Sequence, residues 1–270
     1  PEMHNNSQAA WLTPNSNNDL AILRWLFAAN EEMATALGRN EDARKWQTAL
    51  LNLDQLAVEG EAGALRLSPD ESQTTSHRHL AHLMAIYPLG ILHRDGTDRD
   101  RAIIEASLEQ LDRLGHKAYC GYSHAWRACL MARSGQPERA LESLLKYLPA
   151  TRRNGFHRNS PKSSAVTLEG NFAAGQAVHE MLLQSWGGKL RIFPAVPEQW
   201  QDVAFERLRA EGGFTVSARR VAGKTVEATI TATVDQSLQL DNPFGDVAFQ
   251  ADREVARADN LLRCNLKANE

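Results

Sequence analysis

The chain has 270 residues, 43% of them apolar, which is enough to bury a real core, and its formal net charge is −3. Basic residues are scattered rather than clustered, which argues against nucleic acid or an anionic membrane as partner and favours neutral or mildly charged small molecules. Cys120, Cys129 and Cys264 are odd in number and lack CxxC spacing, so neither a disulfide framework nor a thiolate zinc site is expected.

No apolar run approaches the ~20 residues that span a bilayer. The chain opens on Pro1 with no charged-then-apolar export segment, and an upstream portion is expected to precede it. From Asn18 to about Leu37, apolar residues recur at helical spacing, and Gly38 stops the run. A second helix is expected from Glu41 to about Val58, ended by Gly60 and Gly63. Further helices are read over 80–87, 99–114, 123–133, 137–148 and 172–184. Gly135 and Pro137 mark a stop and a start.

Beyond Gly187 and Gly188 the texture changes to short alternating segments, "KLRIF", "FTVSARR", "TVEATITATV", "SLQLDN" and "DNLLRCNL", separated by turn residues. In "TVEATITATV" the spacing puts Val226, Ala228, Ile230, Ala232 and Val234 on one face and Glu227, Thr229, Thr231 and Thr233 on the other. Two domains are therefore expected, helices over 1–188 and a small β domain over 189–270. The helical pairs have no fixed sequence period, which favours a closed helical barrel over a solenoid.

Three stretches could carry chemistry. "SHRHLAHL" gathers His77, Arg78, His79 and His82. As metal ligands, three imidazoles would need a convergent geometry and a fourth partner, and Arg78 beside them opposes a divalent ion. His82, among Leu80, Leu83 and Met84, suits a buried group, whereas His77, Arg78 and His79 suit a polar lining for a hydroxyl-rich ligand. In "TLEGNFAAGQAVHEMLLQS", Glu169 stands where a loop enters a helix, a position that favours a charged carboxylate and so a base; the alternative is an ordinary helix start capped by Asn171. In "GYSHAWRACLMARSG", Trp126, Leu130 and Met131 are spaced as a helix core, and Tyr122 can face either way.

Together these segments resemble glycoside hydrolase family 95, the inverting α-L-fucosidases and related α-L-galactosidases. The family's HRHxSHL, GWSxxWKxxLWARL and QIDxNFGxxAAVAEMLLQS segments and its LLPALPxxWxxGxVxGLxARGGFxV block correspond, in order, to "HRHLAHL", "GYSHAWRACLMARSG", "TLEGNFAAGQAVHEMLLQS" and "RIFPAVPEQWQDVAFERLRAEGGFTV". "PEMHNN" resembles the family's SPE segment. The resemblance covers residues 1 to about 217.

The resemblance implies an α+β multidomain fold, with the second half of an (α/α)6 helical barrel followed by a small antiparallel β-sandwich. It implies Glu2 as general acid and Glu169 at the position of the base aspartate, with His77, Arg78, His79, Asn171 and Tyr122 toward the sugar. No metal and no cofactor are expected; the partner is an oligosaccharide or glycan, not nucleic acid and not a membrane, and the setting is secreted or periplasmic. Family members activate water with the help of two asparagines upstream of the SPE segment. A half-barrel would leave apolar helix faces uncovered, so a fragment of a longer protein, or a chain that cannot work alone, is expected. Ala81, Glu169 and Ala173 depart from the family's serine, aspartate and glycine. Two rivals stand beside this reading, a glycosidase-like carbohydrate-binding protein without turnover and a metal-dependent enzyme using His77, His79 and His82.

Overall fold

The structure is a computed structural model that describes residues 13–160, 162 and 165–269. Among these described residues six α-helices come first, α1 Asn17–Ala36, α2 Asn40–Leu51, α3 Asp98–Leu114, α4 Gly121–Arg133, α5 Pro137–Tyr147 and α6 Leu168–Leu182. Eight strands follow, β1 Leu183–Gln184, β2 Arg191–Ile192, β3 Val203–Ala210, β4 Phe214–Val221, β5 Lys224–Ala232, β6 Gln236–Asp241, β7 Ala256–Ala258 and β8 Leu261–Leu266. The layout is α+β, with helices preceding antiparallel sheets.

Local chemistry explains the helix starts. Ser16 caps α1 by accepting from the Asp19 N–H at 3.2 Å, and α3 opens on a capping box in which Thr97 and Asp100 satisfy each other's backbone N–H groups. Pro137 occupies the first turn of α5, where its missing N–H has no partner to lose. Asn17, fully buried, stitches α1 to the segment after α2: its amide donates to the Ala57 and Arg66 carbonyls at 2.7 and 2.8 Å and accepts from the Ala57 N–H at 2.8 Å.

The centre of the helical layer is α4, whose Ala125, Ala128, Leu130, Met131 and Ala132 are all completely buried. Its small side chains let α5 and α6 pack closely on either side. Arg127, 2% exposed, is a charged group that α4 sends into this layer: its guanidinium reaches Asp112 of α3 at 2.6 Å and also bonds Ser143 of α5. Three helices are thereby tied by one side chain. Leu83, Ile103 and Leu108 complete this core, each burial contributing about 1.5–3 kcal/mol.

The β region is organised as two three-stranded antiparallel sheets, β3-β4-β5 and β6-β8-β7. Phe205, Phe214 and Val216 of the first share one apolar cluster with Leu238, Leu240 and Leu262 of the second. Trp200 packs against both this cluster and the helical core. Arg191 on β2 locks the junction: it is 2% exposed, pairs with Asp95 at 2.5 Å, and lies 3.5 Å from the Trp186 ring centroid. Burial would raise the Asp95 carboxyl, but hydrogen bonds and charge from Lys189 and Arg191 outweigh it and pull the group to about 2.

Several expected elements differ. The helix read over 80–87 is a single 3-10 turn, Ala81–Leu83, because tertiary hydrogen bonds claim the backbone just before it. α2 ends at Leu51 rather than Val58; Val58 instead pairs with Leu65 in an isolated bridge. α6 begins at Leu168, four residues earlier than read, and ends at Leu182, with 183–184 forming β1 instead of helix; β3 and β7 likewise lie outside the expected strands. In β5, Ala228, Ile230 and Ala232 turn toward the core, while Val226 is 48% exposed and Val234 just beyond the strand is 53% exposed. Large apolar side chains also stand in solvent on the helices, including Trp25, Met33, Leu37 and Leu51, and Phe172 at 73%.

Candidate active site

The N-terminal ends of α4 and α6 and the segment 76–79 converge on one region. Ser76 donates to the Gly115 carbonyl at 2.8 Å and accepts from the Ala118 N–H, so the segment is anchored where α3 hands over to α4. His77 is 3% exposed, and its Nδ1 accepts from the His79 N–H at 3.0 Å. The two imidazoles meet edge-on, 5.3 Å apart. Arg78 is half-buried and His79 exposed. Ser123, in the first turn of α4, accepts from the Cys120 N–H and donates to the Arg78 carbonyl at 2.5 Å, which fixes the main chain of Arg78 to that turn.

On the other flank of the same turn sits His157, which sequence reasoning missed. Its ring is stacked on Tyr147 with centroids 4.5 Å apart and is fully shielded from solvent. A Cβ on Gly121 would stand 1.8 Å from the ring, and one on Gly170 would stand 2.2 Å from it. Both glycines have ordinary helical backbones, so what they supply is space rather than conformational freedom. The imidazole is thus clamped between the first turns of α4 and α6. Neither ring nitrogen has a hydrogen-bond partner among the described residues. Burial lowers the basicity of His157, and the Glu169 carboxylate opposes that shift.

Glu169 lies exposed in the first turn of α6, one residue before Gly170. Its charge is also felt by Tyr122, whose phenol is pushed up first by burial and then by Cys129, Glu169 and Cys120. Asn171 holds the loop before α6 in place, its Oδ1 accepting from the His157 N–H at 2.9 Å and its Nδ2 donating to the Gly155 carbonyl at 2.8 Å. It does not cap α6, whose N-cap position is Thr167. The structure therefore brings Glu169, Tyr122, His157 and Asn171 together, and sets the Arg78 main chain across the α4 turn from them. Glu2 lies outside the described residues.

Burial governs two further histidines. His82 is wholly buried, and burial, assisted by His77, lowers its pKa to about 4. His124 clusters with His116 and Tyr119 at ring separations of 5.3 and 5.2 Å and is also lowered to about 4, chiefly by burial. The cavity beside His77 and His79 measures about 10 Å³, room for a single water. A ligand larger than water does not fit there, whereas Glu169 stands exposed. Among the described residues, no group of three His, Cys, Asp or Glu side chains could hold a metal ion, and no helix is long and apolar enough to cross a membrane.

Comparisons with known proteins agree with the order of these segments. The glycosyl hydrolase family 95 catalytic domain matches residues 1–182, and the glycoside hydrolase family 95 C-terminal domain matches residues 184–266. Alpha-L-fucosidase 2 of Arabidopsis thaliana is 28% identical over 224 residues, which cover 78% of this chain and 26% of that protein. The chain thus spans about a quarter of the length of this relative.

Proposed function

We propose that this chain, which belongs to glycosyl hydrolase family 95, forms the base-bearing part of a glycosidase that releases a terminal α-L-fucose or related α-L-galactose from an oligosaccharide with inversion. The observation that carries the reading is Glu169 in the first turn of α6, next to Gly170, whose backbone packs on His157, with its charge felt by Tyr122 and with Arg78 tied to the α4 turn.

Inversion needs one carboxyl to protonate the leaving oxygen and another to activate water on the opposite face, with ~6.5–9.5 Å between them so that the water fits. In this reading Glu169 takes the proton from water, Glu2 protonates the departing oxygen, and Arg78, His79 and Tyr122 bind sugar hydroxyls. His77 and Asn171 hold the backbone that presents them. The helices are read as the second half of an (α/α)6 barrel, with a domain boundary near residue 188 and a β-sandwich after it. The exposed Trp25, Met33, Leu37 and Phe172 support this, because a larger helical shell would cover such faces. The protein is expected to act outside the cytoplasm, on a glycan.

Glu169→Gln removes the base and nothing else from the turn. Release of free fucose or galactose from aryl glycosides by the full-length enzyme should fall by about 10²–10⁴-fold; a rate within a few-fold of the parent would sink the assignment. A second reading rests on Glu169 itself, one methylene longer than the family's aspartate, since a ~1 Å shift of a base can cost ~100-fold. Sugar binding without measurable release by the unmodified protein would favour a carbohydrate-binding role.

A further inference from the structure

The opposite ends of α4 and α6 build a second concave surface. Counting 1.5 Å per residue, Arg133 and Glu180 lie roughly 16–18 Å along the helix axes from the turns that hold Gly121 and Glu169. Between these helix ends, β1 and β3 is a cleft of about 460 Å³, lined in part by Tyr87, Arg133, His179, Glu180, Trp186 and Glu211. That volume falls within the ~300–1,000 Å³ of small-molecule sites.

The floor of the cleft is an ion pair. Arg133 grips Glu180 bidentately at 2.9 and 2.7 Å, and Gln176 donates to the same carboxylate at 3.1 Å. The pair is nearly buried, with side chains 11% and 5% exposed. Such pairs are commonly no better for stability than apolar replacements, so stability alone does not explain a polar floor here. The Arg133 guanidinium also lies 5.2 Å from the Tyr87 ring centroid and 5.7 Å from that of Trp186. The lining also includes Glu211, His179 and Arg209, and the Glu211 N–H is held by Ser185. Burial raises the Glu211 carboxyl, Arg133 opposing and Glu180 reinforcing.

The charges select the ligand. An anion would meet Glu180 and Glu211, and a cation would meet Arg133 and Arg209. A neutral molecule with many hydroxyls can accept from the guanidinium and imidazole, donate to the carboxylates, and set C–H groups against the half-buried Tyr87, with Trp186 just beneath. We propose that this cleft is a second carbohydrate site, taking a neutral sugar unit of the glycan at a distance from Glu169. The choice of sugar as ligand rests on the family reading, whereas the site rests on its own geometry.

The test is a titration of the chain labelled with 5-fluorotryptophan, followed by fluorine NMR, with the Trp186 resonance assigned through Trp186→Phe. L-fucose and D-galactose should shift that resonance saturably, and inorganic phosphate and ethanolamine should not. The double variant Glu211→Ala, His179→Ala should weaken the sugar response at least tenfold; Glu211→Gln, a milder change, should weaken it several-fold if the double variant fails to fold. Glu169→Gln should leave it within twofold, so loss of hydrolysis and loss of this site are read separately. Absence of a sugar-induced shift, a response to phosphate or ethanolamine instead, or a sugar response untouched by the Glu211 and His179 variants would overturn the proposal.

Discussion

Gly170→Ala isolates the clamp around His157. An ideal Cβ there would stand 2.2 Å from the ring Cδ2 and 2.9 Å from Cγ and Nε2, whereas carbon atoms settle at ~3.5–4 Å. The ring has little room to retreat, with Tyr147 stacked on it and the Gly121 backbone against its other edge. Relief must come from moving the first turn of α6 or from expelling the imidazole. Overpacking of this kind costs ~1–3 kcal/mol, set against an intrinsic gain of up to ~1 kcal/mol for alanine over glycine in a helix. We expect a net loss of about 1–2 kcal/mol. In a His157→Ala background the space is vacant, and the same substitution should be neutral or stabilising, giving a coupling of roughly 2 kcal/mol in the double-mutant cycle. Urea unfolding of the four proteins measures it, with m unchanged across the set. If Gly170→Ala is harmless in the native background, or the coupling falls below ~0.5 kcal/mol, the imidazole is not a wedge. With Glu169 next in the chain, displacement of this turn should also depress hydrolysis by the full-length enzyme more than stability alone explains.

His82, held near 4 by burial, takes up its proton in the unfolded chain first, at ~6.5. Its contribution is therefore complete above about pH 6.5 and is lost as pH falls toward 4, on the order of 3 kcal/mol in all. Unfolding free energies at pH 7.5 and 4.5 should differ less in His82→Leu than in the parent by that amount; equal slopes would refute it. Arg127→Ala should cost about 3–5 kcal/mol, since it empties a buried site and strips partners from Ser143 and Asp112. Arg127→Met, which keeps the aliphatic stem, should recover at least half of that loss in thermal unfolding. Asp95→Asn should weaken the junction at neutral pH but lose its effect as pH falls from about 4 to 2, because the parent carboxylate, pulled to about 2, gives up its stabilising charge over that window. A loss that persists at pH 2 would refute the electrostatic account.

The start of α5 is legible from Gly135 and Pro137, which stop one helix and open the next. The stretch after "SHRH" is not, although Leu80, Leu83 and Met84 have helical spacing. The His77 ring takes the His79 N–H and Ser123 takes the Arg78 carbonyl, bonds to partners that local periodicity cannot display. Asn171 read as a cap because of its type, but its amide is spent on the 155–157 loop, and the helix starts earlier. β3 was hidden by its own bulge. The register shifts between Phe205 and Leu208, with Arg207 at a positive φ of 55°, so the alternation that marks a strand is broken midway. His157 gave no signal in its own neighbourhood. What pointed to it was indirect, two glycines in first helical turns with nothing in the turn geometry to require them.

The α4–α6 pair places polar groups at both ends and an apolar stretch between. Near the start of the helices, Gly121 and Gly170 close on His157; near the finish, Arg133 pairs with Glu180. Between them Ala128 and Ala177 are completely buried, and Cys129, pushed up to about 12 by burial, reaches the Ala173 carbonyl at 3.4 Å as a neutral thiol. A dry, close-packed middle of this kind offers no group ionising near neutral pH through which charge at one end could reset the other, and sites more than ~10 Å apart without shared partners usually add within ~0.5 kcal/mol. The effects of Glu169→Gln on hydrolysis and of Glu211→Ala on sugar binding should therefore combine additively in the double variant. A coupling above about 1 kcal/mol would mean that the two ends communicate through a shift of the helices themselves, and that α4 and α6 slide rather than stand rigid.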